Sequence, residues 1–144
     1  MNTNKNIRVL IIGSKNFDDY EYFEEKIYKV LERYFEEDYQ ITIREQEINT
    51  VDTFAVRFAK ENNCNLERYK INWDKYGKSA AYENIKLLVF GESVQSTSDL
   101  LICFYKKIDK KADRDMTERI IDEFKSIIDL ENQFQNYFIF TKTK

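Results

Sequence analysis

The stretch Ile7-Arg8-Val9-Leu10-Ile11-Ile12 decides the fold. Broken only by Arg8, it is a continuous apolar run too short for an ordinary helix. That pattern predicts a central strand of a parallel sheet, buried on both faces. Leu100 to Tyr105 is a second run of the same kind and is expected beside the first at the sheet centre. Outward from Ile7–Ile12 the pattern alternates strand and helix. A polar loop, 13–19, leads into Phe23, Ile27, Val30, Leu31 and Tyr34 at helical spacing. Gln40 to Arg44 reads as a short strand. Thr50 or Asp52 is placed to cap a second helix with a buried stripe of Val51, Phe54, Ala55, Phe58 and Ala59, ended by Asn62-Asn63.

Further along, Leu66 to Ile71 is predicted as a third strand, and the loop 72–79 leads into a helix through Tyr82, Ile85 and Leu88. Gly91 to Ser98 reads as a polar connection, Met116 to Ile128 as a last amphipathic helix, and Tyr137 to Phe140 as a final strand. There is no internal repeat and no low-complexity linker. The expected architecture is an α/β, three-layer Rossmann-like sandwich with a mostly parallel sheet of about five strands, as a single domain over residues 1–144.

Composition narrows the chemistry. The 144 residues contain no histidine, which removes Ser-His-Asp triads, Cys-His pairs and histidine metal sites. Cys64 and Cys103 suggest neither a disulfide framework nor paired zinc ligands, so no metal and no cofactor is expected. A net charge of −3 argues against duplex nucleic acid as a partner, since backbone binding wants a clustered positive face, though it leaves room for a local basic patch. The run Lys106, Lys107, Lys110, Lys111, interrupted by Asp109, reads as a solvated loop. No leader-like or membrane-length apolar segment is present, so a cytoplasmic protein with no membrane partner is expected. Abundant Asn, Lys and Ile point to an AT-rich genome of the phage or mobile-element kind.

In open α/β sheets ligands bind beyond the carboxyl ends of the strands, where strand order reverses. After the first strand, Gly13 permits a tight exit turn, Ser14 offers a hydroxyl and an amide, Lys15 brings positive charge, and Phe17 follows. After the third come Trp73-Asp74-Lys75-Tyr76-Gly77-Lys78-Ser79-Ala80-Ala81-Tyr82. An indole there can stack on a base, and Lys78 at a helix start can neutralise a phosphate. Each feature also has a plainer reading: an ordinary βα turn for the first loop, a core-edge plug for Trp73.

Gly13-Ser14-Lys15 with Phe17, then Asp52-Thr53-Phe54-Ala55 and Phe58-Ala59-Lys60-Glu61-Asn62-Asn63, then Trp73 to Tyr82, resemble the YspA/YpsA-like branch of the SLOG superfamily. That superfamily also holds the Lonely Guy nucleoside-monophosphate phosphoribohydrolases and the DprA fold. The similarity runs from Arg8 to about Tyr105. It implies a Rossmann-like sheet that binds nucleotides or nucleotide-derived ligands such as ADP-ribose species. The departures are in the phosphate loops. The family's Gly-Gly-Ala-Arg-Gly-Ala-Asp-like loop is here Gln46-Glu47-Ile48-Asn49-Thr50-Val51-Asp52, in which only the Asp survives. The Gly-rich loop after the fourth strand is here Lys106 to Asp113, without glycine. The family's Arg-Asn pair appears as Glu83-Asn84. Lost glycines mean lost freedom for amides to converge on an anion, and Glu47 pointing inwards would repel a phosphate.

The resemblance thus implies a divergent, non-catalytic protein that binds a nucleotide-like small molecule. Its ligand-binding candidates are Gly13, Ser14, Lys15, Phe17, Asp52, Trp73, Gly77, Lys78 and Asn84. Two alternatives stay open: a nucleoside-monophosphate N-glycosidase, and a structural or assembly protein that keeps only the fold. Asp113, Asp115 and Glu118 would be the stand-in acids for the first of these, but read as helix-start residues that suit the helix dipole. Whether copies of the chain pair with each other is also left open.

Overall fold

The computed structural model describes residues 5–13, 17–47, 50–77, 84, 87–88, 97–106 and 137–142. The elements are β1 (Asn6–Gly13), α1 (Tyr20–Glu36), β2 (Gln40–Glu45), α2 (Thr50–Glu61), β3 (Asn65–Arg68), α3 (Trp73–Tyr76), β4 (Leu100–Lys106) and β5 (Tyr137–Lys142). All five strands join one parallel sheet in the order β3-β2-β1-β4-β5. The two apolar runs are neighbours as expected, with Val9 opposite Leu100 and Ile12 opposite Cys103. Val9, Leu10, Ile11, Leu101, Ile102, Cys103 and Phe104 have no exposed surface. Both faces of the sheet centre are therefore covered. This is an α/β Rossmann-like arrangement.

Side chains alternate along β1. Ile7, Val9 and Ile11 face the core shared with α1 and α2, joined there by Phe23, Ile27, Leu31, Val51, Ala55 and Phe58. Leu10 and Ile12 face the other side. Aromatic rings dominate the α1 side, where Phe104 lies 4.8 Å from Phe23 and 5.2 Å from Phe17, centroid to centroid.

Helix ends follow local chemistry. The Asp19 side chain caps α1 by accepting from the Tyr22 amide at 3.0 Å. The stop after α1 uses Asp38 at φ 58°, and the stop after α2 uses Asn63 at φ 55°. In the latter, the Cys64 amide donates back to the Ala59 carbonyl at 2.9 Å. In a chain with three glycines, Asp and Asn fill the left-handed positions that glycine usually takes.

Several boundaries differ from the sequence-based expectation: β2 runs on to Glu45, β4 to Lys106 and β5 to Lys142. β3 covers Asn65–Arg68 rather than 66–71, because β2, its partner among the described strands, ends opposite Arg68 at Glu45. The stretch 72–79 is not loop throughout. Asn72 accepts from the Lys75 amide at 3.0 Å and so starts the single turn α3. The expected helix over Met116 to Ile128 and the loop from 107 to 113 lie outside the described residues.

Candidate functional site at the strand exits

With order β3-β2-β1-β4-β5, the chain builds outward from β1 in one direction and then crosses to β4 on the other side. The reversal falls between β1 and β4, and beyond Gly13 and the end of β4 is where sheets of this topology bind ligands. Gly13 itself is fixed by packing. A Cβ there would collide with Val51 Cγ2 and sit 2.9 Å from the Phe104 carbonyl oxygen. The first turn of α2 thus lies directly against the β1 exit, which brings the helix N-terminus to the strand reversal.

Phe17, four residues on, is buried in the aromatic core against Tyr22 and Phe104. It anchors the far end of the β1 loop. Asp52 is also buried, and its Oδ1 accepts from the Gln46 amide at 3.2 Å, tying the β2 exit to α2. Gly77 closes α3 at φ 56° with open space where a Cβ would stand. Asn84 is helical and buried, and its Nδ2 has no hydrogen-bond partner among the described residues. For Trp73 the backbone alone is described, as the first residue of α3. Ser14, Lys15 and Lys78 lie outside the described residues, and with them the expected meeting of Trp73, Lys78 and Ser14 in one cleft.

The charged groups that the structure gathers at these exits were not among the sequence candidates. Glu45, the last residue of β2, is fully buried. Its Oε1 takes the Arg68 Nε, and its Oε2 accepts from the Glu47 amide at 2.6 Å. Arg68 Nη2 reaches on to Glu47 Oε1 at 3.1 Å. Glu47 adopts φ 55°, a strained conformation for a residue with a side chain, and these two contacts hold it there. Burial holds the Glu45 carboxyl above the usual carboxylate range, only partly offset by the bonds from Arg68 and Glu47. On the opposite face Arg44 is buried as well, with Nε on Glu67 at 2.8 Å and Nη1 on the Ser98 hydroxyl at 2.9 Å. The available signal was alternation: Ile41, Ile43 and Glu45 share one face, so a charge at position 45 had to be buried.

Among the described residues no group of three or more His, Cys, Asp or Glu side chains is placed to hold a metal ion. Burial pushes the Cys64 thiol up to about 11, which leaves it a poor nucleophile at neutral pH. No helix among the described residues is long and apolar enough to cross a membrane. A groove of about 500 Å³, lined by Glu24, Glu25, Tyr28, Lys29, Glu32 and Asn62, lies on the outer side of α1, away from the strand exits.

Residues 7–76 match the model of the YAcAr family, described as the YspA, cpYpsA-related SLOG family. No curated protein and no solved structure matches the chain. The match spans β1 to α3, the half of the fold that carries Gly13, Glu45, Asp52 and Arg68.

Proposed function

We propose, from the premise that residues 7–76 belong to the YspA, cpYpsA-related SLOG family, that this protein binds a nucleotide or nucleotide-derived ligand of the ADP-ribose type without turning it over. The observation that carries the reading is the reversal of strand order between β1 and β4, the place where open α/β sheets bind ligands, with the first turn of α2 packed against Gly13. A binding role rather than an enzymatic one is supported by the β2 exit. There Glu45, Glu47 and Arg68 bond to one another in place of a glycine loop that would wrap a phosphate.

In this reading Ser14, Lys15 and Lys78 supply polar and positive contacts to the phosphate, and Trp73 borders the base. The test is a thermal-shift screen against AMP, ADP-ribose and cyclic dinucleotides. A ligand selective for the native state raises apparent stability by about 2.7 kcal/mol at a hundred times its Kd. Lys78→Ala should then weaken the selected ligand by about tenfold to a hundredfold in titration calorimetry, as expected for a lost charge-assisted bond. Unchanged affinity in Lys78→Ala would remove that lysine from the site. A screen with no shift for any of these compounds would favour the reading in which only the fold is kept.

A further inference from the structure

The two edges of the sheet are built differently. β3, at one edge, has four residues and ends on Glu67 and Arg68, whose charged side chains are partly exposed. A short, charged strand is how folded proteins blunt an edge against further pairing. β5, at the other edge, has six residues, Tyr137-Phe138-Ile139-Phe140-Thr141-Lys142, with no proline and no charge before Lys142. Among the described residues no strand lies beyond it. Phe138 and Phe140 pack against the core shared with α1 and α2, where the Phe140 ring lies 5.5 Å from that of Phe104. Ile139 belongs to the other face and is 43% exposed, which among the described residues it shares only with Tyr28 as a large exposed apolar side chain.

We infer that β5 is an interface between two copies of this chain, which pair antiparallel along it and join their sheets into one. The strand is matched by itself. A two-fold axis perpendicular to the sheet keeps each face continuous, so every residue stands opposite one from its own face. Centring that axis on Ile139 pairs the whole uncharged run, 137–141, with its own copy. Ile139 then meets Ile139 of the second copy, and Phe138 meets Phe140 on the face that carries the aromatic core. The same register puts the two Lys142 positions at opposite ends of the contact, about 20 Å apart, beyond the reach of screened repulsion. A six-residue strand makes contact over only about 20 Å, so the interface lies at the small end of specific ones. The dimer should therefore dissociate at micromolar concentration.

The experiment is sedimentation of the full chain over about a hundredfold range of concentration spanning the micromolar. Wild type should pass from monomer to dimer and no further, because a two-fold contact closes on itself. Ile139→Lys sets two like charges opposite each other at the axis and should weaken the dimer by about tenfold or more. Circular dichroism and melting of the variant as a monomer show whether it has folded. Ile139→Cys should give a covalent dimer under oxidised glutathione, since opposite residues stand about 4.5–5.5 Å apart, within disulfide reach. Thr141→Cys is the control for register: its two copies would stand about 13 Å apart and should not cross-link. Wild type, with Cys64 and Cys103, sets the background. If the lysine variant does not fold, the two cysteine variants still decide. A chain that stays monomeric throughout overturns the inference. So does a dimer that persists undiminished in folded Ile139→Lys, growth beyond the dimer, or cross-linking of Thr141→Cys as efficient as that of Ile139→Cys.

Discussion

Gly13 was chosen from the sequence for the freedom it gives a turn, yet the reason it must be glycine is contact. Val51 and the Phe104 carbonyl fill the space where a side chain would begin. Gly13→Ala therefore forces α2 or β4 to shift, and overpacking of this kind costs about 1–3 kcal/mol. Urea denaturation should show that loss. Adding Val51→Ala should recover only part of it, because the Phe104 carbonyl is backbone and stays in place. If Gly13→Ala proves as stable as the wild type, the close approach of α2 to β1 is wrong. Phe17 teaches a related point at the same scale. It follows the β1 exit loop that the sequence offered as a ligand contact, but its ring belongs to the core with Phe23 and Phe104. Only packing reveals which way the ring goes.

Among the elements, β2 departs furthest from a simple amphipathic or buried pattern, because its last two residues bury opposite charges on opposite faces. Arg44 faces the side with Ser98, and Glu45 the side of Arg68. Glu45 holds its proton more tightly in the folded chain than in the unfolded one, where its ordinary value is 4.5. Its contribution to stability is therefore full below that value and is lost as pH rises through the raised folded value. Glu45→Gln should remove this component. Unfolding free energies from pH 4 to pH 7 should fall less, or rise more, in the variant than in the wild type. Parallel profiles would mean that Glu45 titrates as it does in the unfolded chain. The strands and helices up to α2 were legible from apolar spacing alone, since Val9–Ile12 and the stripe from Val51 to Ala59 carry unambiguous periods. The end of β3 and the Glu45–Arg68–Glu47 group were not. Both depend on which strand lies next to β2, and that is a property of the sheet rather than of any window of sequence.

At the scale of the whole molecule, the side of the sheet opposite α1 and α2 is tied together by a polar chain: Arg44 Nη1 to the Ser98 hydroxyl, and that hydroxyl to the Leu88 carbonyl at 2.5 Å. All three residues are buried, so Ser98→Ala leaves a charged donor without its acceptor and should cost about 1–3 kcal/mol. Combined with Arg44→Met the cost should be clearly less than the sum of the two single changes, since the variants share one bond. Strict additivity in a double-mutant cycle would break that link. The sheet order has a last consequence, in time rather than in space. β1, β2 and β3 pair across short connections, but the partner on the other flank of β1 is β4, and the Arg8 amide closes on the Asp99 side chain across 91 residues. During synthesis the first three strands can dock with α1 and α2 while one whole edge of β1 still has nothing to pair with. Emergence of Leu100–Lys106 from the ribosome is then the committing event, and a chain halted before it presents a sticky, ladder-ready edge to its neighbours.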